Sequence, residues 1–271
     1  MPRPLTQDDL VLCSGTIARV PLPEAVPIAA AAGFRGLSVY ESEYRAARAD
    51  GWSDGALRSL LDDHDVTVAE LDGSMVWLPG SSRGPSRRAF LDAAAALGAR
   101  SVTALEVSGQ LELDDEIRAE CFASLCDAAA ERGLLVHLEF FPFSPVNDLA
   151  RALAVVRGAG RANGGVMFDV WHYVRGPDAG APLPDGTGVH VLGVQVNDVL
   201  PVASDDRLHE MMHDRQLPGA GVAPVRDLLA ALRAQRCTAP FGVEVYSDEL
   251  HALGAEEVAR RAAIALRSVV A

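Results

Sequence analysis

The 271 residues carry 37 acidic against 24 basic side chains, a formal net charge of -13 that opposes close approach to nucleic-acid phosphates or anionic membrane surfaces. Cys13, Cys121, Cys126 and Cys237 have neither a CxxC spacing nor the density of a disulfide framework, and read as buried or half-buried thiols of a reducing compartment. The N-terminal MPRPLTQDDL lacks the apolar core of a signal peptide and no uncharged stretch approaches the ~20 residues of a membrane span, so a soluble cytoplasmic protein is expected.

Short apolar runs alternate with longer segments of helical period. In chain order, strands are predicted at residues 11–13, 36–39, 66–71, 101–105, 134–139, 165–169, 191–195 and 241–245. Helices are predicted at residues 23–32, 54–64, 85–97, 115–132, 148–158, 224–235 and 255–270. Strand alternating with helix through eight units predicts a single-domain α/β protein, a (β/α)8 TIM barrel. The sixth unit is weak, because VRGPDAGAPLPDGTG reads as a loop with at most a short helix. A doubly wound open sheet is the alternative, but CSGTIARVPL after the first strand has no GxGxxG phosphate turn. The long punctuated stretches 175–188 and 201–221 follow strand C-terminal ends, where a barrel keeps its active-site loops.

Four late strands end in oxygen-bearing side chains. LLVHLEF ends near Glu139, GVMFDVWH carries Asp169 and His172, HVLGVQVND carries Gln195 and Asp198, and FGVEVYS carries Glu244. Strand side chains alternate, so His137 with Glu139, Met167 with Asp169, Gly193 with Gln195 and Asn197, and Gly242 with Glu244 and Tyr246 turn toward the barrel interior. Gly193 and Gly242 are expected to leave room there for an ion and a substrate. Polar groups are costly to bury without a partner, and a divalent metal shared by Glu139, Asp169, Gln195 and Glu244 would be one. Three carboxylates and an amide oxygen are hard ligands that suit Mg²⁺ or Mn²⁺ better than Zn²⁺. A substrate with adjacent hydroxyl and carbonyl oxygens would fill the remaining positions, and the metal would stabilise the enediolate formed on proton loss.

These residues resemble the xylose isomerase-like (sugar phosphate isomerase/epimerase) TIM barrels, which also include endonuclease IV. The resemblance covers essentially the whole chain and is most specific from Glu139 to Glu244. It rests on Glu139, Asp169 with His172, Gln195 with Asp198, Glu244, and an R-x-x-P-G-x-G element at Arg215, Pro218, Gly219 and Gly221. It implies that Glu139 and Glu244 both bind the metal and shuttle protons on opposite faces of the substrate, while His172 and Arg215 hold substrate oxygens. Many family members have His at position 195; Gln195 is similar to the 3-dehydroshikimate dehydratase branch.

The leading reading is therefore a metal-dependent isomerase or epimerase acting on a small polyhydroxy carbonyl compound, with homo-oligomer formation open and neither nucleic acid nor membrane as partner. A dehydratase of the 3-dehydroshikimate type is the alternative. A repair endonuclease would be expected to show a histidine-rich zinc cluster and a basic face, and the intact ligand set argues against a non-catalytic sugar-binding barrel.

Other polar residues carry blander readings. Asp198 is expected either to support the metal ligands or to cap the following loop. His137 reads as a hydrogen-bonded core histidine, and His64 and His251 as surface helix residues. His209 and His213 lie in HEMMHDRQLPG, read as a solvated loop, with His213 a candidate substrate contact. Arg215 would otherwise form a surface ion pair with Asp205, Asp206 or Asp214. Trp77, Phe141, Phe143, Trp171 and Tyr246 follow strand ends and wall a pocket or pack under loops. Glu41, Asp72 and Glu106 also follow early strands without anything to choose among them.

Overall fold

The computed structural model describes residues 4–73, 75–80, 84–106 and 113–270. Eight strands are present: β1 (Leu10–Cys13), β2 (Gly36–Tyr40), β3 (Thr67–Asp72), β4 (Ser101–Leu105), β5 (Leu135–Glu139), β6 (Gly164–Asp169), β7 (Val191–Val196) and β8 (Phe241–Val243). Each pairs in parallel with the next, and β8 pairs with β1, so the sheet is a closed (β/α)8 barrel. Among the described residues no helix is long and apolar enough to cross a membrane.

The helices form where apolar periodicity and caps agree. In Leu149–Ala159, Asp148 accepts from the Arg151 N–H at 2.7 Å, and Gly160 ends the helix at φ 60°. Leu149, Ala152, Leu153, Val156 and Ala159 recur on the buried face of that helix. The main core lies between such faces and the outward strand residues, among them Val136, Leu138, Val166, Phe168, Val194 and Val196.

The helices differ from the predicted ones in two segments that bear on the site. The helix Glu41–Ala49 stands between β2 and the helix Asp54–Asp63, in a segment whose charged residues mask the period. The sixth unit has the short helix expected of it, Val170–Arg175, started by Asp169 itself, and glycine and proline stop it there. HEMMH is helical rather than a solvated loop: Arg207–His213 is capped by Asp206, which accepts from the His209 N–H at 2.9 Å.

The register carries the site residues up a staircase. Glu139 stands opposite Met167, two residues before Asp169; Asp169 is opposite Gln195; Gln195 is opposite Gly242, two residues before Glu244. Every step is zero or two residues, so all four side chains keep the same inward direction while following the stagger that closes a barrel.

Candidate functional site

The four residues meet at the C-terminal mouth of the barrel, all nearly or fully buried. Asp169 is fully engaged: Oδ1 accepts from the His172 N–H at 2.9 Å, and Oδ2 accepts from Asn197 Nδ2 at 3.0 Å and Arg215 Nη1 at 2.9 Å. Burial alone would raise its pKa, but the Arg215 guanidinium, His172 and these hydrogen bonds hold it below the ordinary aspartate range. Glu244 accepts from Gln195 Nε2 at 3.1 Å and from Arg215 Nη1 at 3.2 Å. Burial still dominates there, and with Asp169 and Glu139 nearby it pushes the carboxyl well above the usual glutamate range. Glu139 is raised likewise, by burial first and then by Asp72 and Asp169. His172 Nε2 lies 3.3 Å from Glu139 Oε1. Burial lowers the imidazole to about 4, so it is neutral at pH 7.

Arg215 does not pair with Asp205, Asp206 or Asp214. It is 2 % exposed, and its Nη1 joins Asp169 to Glu244 while Nε donates to Met211 O at 2.8 Å. Its guanidinium lies between the rings of Trp171 and Tyr246, 5.7 and 5.1 Å from their centres. One side chain thus places positive charge among three buried carboxylates. Among the described residues no three His, Cys, Asp or Glu side chains are grouped tightly enough to hold a metal ion as they stand. The guanidinium bonds to both Asp169 and Glu244, and Gln195 turns its amide nitrogen toward Glu244.

A cavity of about 480 Å³ opens over Glu139, His172, Arg215 and Glu244, within the size range of small-molecule sites. Met211 and Met212 of the Arg207–His213 helix also line it. That helix is anchored by the buried Glu210, which accepts from Arg175 Nε at 2.6 Å and from the Ser204 N–H at 2.7 Å. His213 is not among the lining residues; its Nδ1 is 3.1 Å from the exposed Asp248 and its ring stacks on His209. On this helix the cavity wall is formed by Met211 and Met212 rather than by His213.

The glycines act one layer deeper than expected. A Cβ on Gly193 would lie 2.7 Å from Met167 and 2.9 Å from His137, and one on Gly242 would lie 3.3 Å from Cys13 Sγ, so both make space for barrel-filling side chains. His137 is fully buried with neither ring nitrogen hydrogen-bonded, and burial together with Arg100 lowers it to about 3. Asp198 caps the loop: Oδ1 accepts from the N–H groups of Val199 and Ala223, each at 2.8 Å, and Oδ2 from Gly219 at 2.9 Å. Gly221 is needed there, since a Cβ would meet Val199 O at 2.1 Å.

Among the early-strand acids, Glu41 and Asp72 line the cavity, whereas Glu106 is bound to the buried Arg118 at 2.9 and 3.2 Å. Sequence reasoning missed Tyr40 and Arg19. Tyr40 ends β2, and its hydroxyl is hydrogen-bonded to that of Tyr246. Asn197 shares the inward parity of Gln195, and that parity is the signal that could have assigned it to Asp169.

Fold and site together define a (β/α)8 barrel with a buried acid, amide and guanidinium constellation at its strand C-terminal ends. The chain matches the xylose isomerase-like TIM barrel family model over residues 26–269 and belongs to that family. It is 27% identical over 239 residues to a 3-dehydroshikimate dehydratase of Pseudomonas aeruginosa, covering 85% of this chain and 37% of that protein. It is 27% identical over 193 residues to an inosose isomerase of Bacillus velezensis, covering 68% of this chain and 66% of that one. The chain thus spans little more than a third of the first relative and just under two thirds of the second. The IolI protein, solved with a bound zinc atom, superposes with a TM-score of 0.83 at 19% identity over 97% of this chain and 98% of its own, which shows a shared fold.

Proposed function

We propose that this chain is a divalent-metal-dependent enzyme that removes a proton next to the carbonyl of a small polyhydroxy compound, as a sugar-type isomerase or epimerase. The observation that carries the reading is the pair Glu139 and Glu244. Both are buried in one cavity wall, Glu139 at the end of β5 and Glu244 just after β8, and burial raises both carboxyls above the ordinary glutamate range.

Glu139, Asp169, Gln195 and Glu244 would hold the ion, and Gln195 Oε1, buried without a hydrogen-bond partner, fits that role. Their oxygen-rich set suits Mn²⁺ or Mg²⁺. A bound divalent cation supplies stabilisation of negative charge developing on substrate oxygens. Glu139 takes the proton, with His172 beside it to set its orientation. The unpartnered His172 Nδ1 would accept a hydrogen bond from a substrate hydroxyl. Glu244 returns a proton from another side of the cavity, and Arg215 keeps the combined negative charge of the carboxylates tolerable. Met211 and Met212 restrict water above them.

A lyase of the dehydratase type is the second reading, favoured by Gln195 and by the Pseudomonas relative, which matches 85% of this chain. It would use the same proton removal and then expel a hydroxyl. Incubation with inosose and with 3-dehydroshikimate in deuterated water with Mn²⁺ tests both: deuterium entering a recovered or isomerised ketone supports the first, and a new aromatic absorbance supports the second. Glu139→Gln and Glu244→Gln should each lower either reaction at least ~10²-fold. Near-normal turnover in both variants would sink the proposal.

A further inference from the structure

The loop after β1 brings Arg19 into the wall of the same cavity. A 3-10 turn over Ser14–Ile17 is stitched to β8 by Thr16, whose hydroxyl donates to Val243 O at 2.9 Å and accepts from the Val245 N–H at 3.0 Å. Gly15 is required in that turn, because a Cβ there would lie 2.6 Å from the Tyr246 ring. Glu43 ties the turn to β2, accepting from Ser14 Oγ and from the Tyr40 N–H, both at 2.9 Å. The chain leaves through two consecutive left-handed residues, Ala18 at φ 56° and Arg19 at φ 53°. Backbone of this kind costs free energy in non-glycine residues and persists where its surroundings dictate it, a situation concentrated at ligand sites.

The result is a guanidinium on an aromatic platform. Arg19 lies 4.3 Å from the Tyr40 ring centre and 5.9 Å from that of Tyr246, and the two hydroxyls join the rings. Of the other cations lining the cavity, Arg215 is held by Asp169 and Glu244, and Arg45 by Glu41 at 3.3 Å. Among the described residues no carboxylate stands within ion-pair distance of Arg19. Arg215 and Arg19 lie 5.1 and 5.9 Å from the same Tyr246 ring centre, so their guanidinium carbons are within 11 Å of each other.

We propose that Arg19 binds a carboxylate of the substrate, which makes the ligand of this cavity a hydroxylated carbonyl compound that carries a carboxylate rather than a neutral sugar. The assignment of the reacting end rests on the function proposed above. A planar guanidinium already stacked in place loses little freedom on binding and matches a carboxylate through two parallel N–H bonds.

Calorimetric titration of the purified protein with shikimate and with its methyl ester isolates the carboxylate on one ring. Wild type should bind the acid at least tenfold more tightly than the ester. Arg19→Asn, which suits left-handed backbone, should bind both equally, and Arg19→Lys should retain part of the preference. An acid that binds no better than its ester, a preference that survives in Arg19→Asn, or tighter Arg19-dependent binding of inositol monophosphate would each overturn the proposal. Glu244-dependent deuterium exchange into inosose without any acid preference would defeat the Arg19 assignment alone. An Arg19-dependent preference with no exchange into any hydroxy-ketone would defeat the catalytic reading alone.

Discussion

Arg215→Met keeps an unbranched side chain of similar reach between Trp171 and Tyr246 while removing the charge on which the buried carboxylates depend. The loss comprises N–H bonds to Asp169 at 2.9 Å, Glu244 at 3.2 Å and Met211 O at 2.8 Å, from a side chain 2 % exposed. Charge-assisted bonds contribute about 1.5–3 kcal/mol each, and removing one partner of a buried ion pair costs about 3–5 kcal/mol. Burial already raises the Glu244 carboxyl, so it takes up a proton more readily when the cation goes, which holds the cost near the lower end, about 3 kcal/mol. At roughly 2–4 °C per kcal/mol for a chain of this size, Tm should fall by about 6–12 °C. Thermal unfolding at pH 7 in chelator measures it. With Mn²⁺ added, the variant should recover more of its Tm than wild type gains, because a divalent cation then supplies the missing positive charge. A variant within about 2 °C of wild type in chelator would refute the dependence of Asp169 and Glu244 on this guanidinium.

Two further perturbations test the neighbouring network. Glu70, buried inside the barrel, is raised to about 7 by burial and then by Asp72, against the opposing Arg100. A raised carboxyl favours the protonated folded state, so its cost appears as pH rises from its ordinary value near 4.5 and is complete above about 7. Glu70→Gln should therefore stabilise the protein at pH 8 by up to about 3 kcal/mol and leave it nearly unchanged at pH 4, followed by urea unfolding; an equal effect at both pH values would show that titration is not the cause. Asp198→Ala leaves the N–H groups of Val199, Gly219 and Ala223 without their carboxylate, a loss of about 3 kcal/mol at roughly 1 kcal/mol each. Limited proteolysis should then cut near Gly219 to Gly221 faster than in wild type, and an unchanged pattern would show that the turn holds itself.

The fold was legible because a parallel strand in a barrel must be apolar on its outward side and bounded by turn residues, and eight such runs stand in the chain. Boundaries erred where local and tertiary signals part. β8 ends at Val243 although the apolar run continues to Val245, because Thr16 takes the Val245 N–H and replaces the next rung of the ladder. The Glu41–Ala49 helix was hidden because its stability comes from Glu43 folding back on the Tyr40 N–H rather than from an apolar stripe.

The parity of inward-facing residues also gave the β5 to β8 site residues, since a two-residue period fixes direction without knowledge of neighbours. What parity cannot give is height and partner. The two-step stagger between Glu139 and Asp169, and again between Gln195 and Glu244, is a property of barrel closure and decides that these groups meet. Arg215 was legible as a site residue, but its burial beneath the loop, on Asp169 and Glu244 rather than on nearby aspartates, required the fold of residues 198–223 around Asp198. Arg19 carried no signal at all: its place over Tyr40 depends on left-handed backbone and on a ring contributed by Tyr246, more than two hundred residues away in the chain. Sequence by itself determined which residue types face inward, because that is local geometry; tertiary structure alone decided which charges are compensated, because compensation depends on distance between strands and loops that no period encodes.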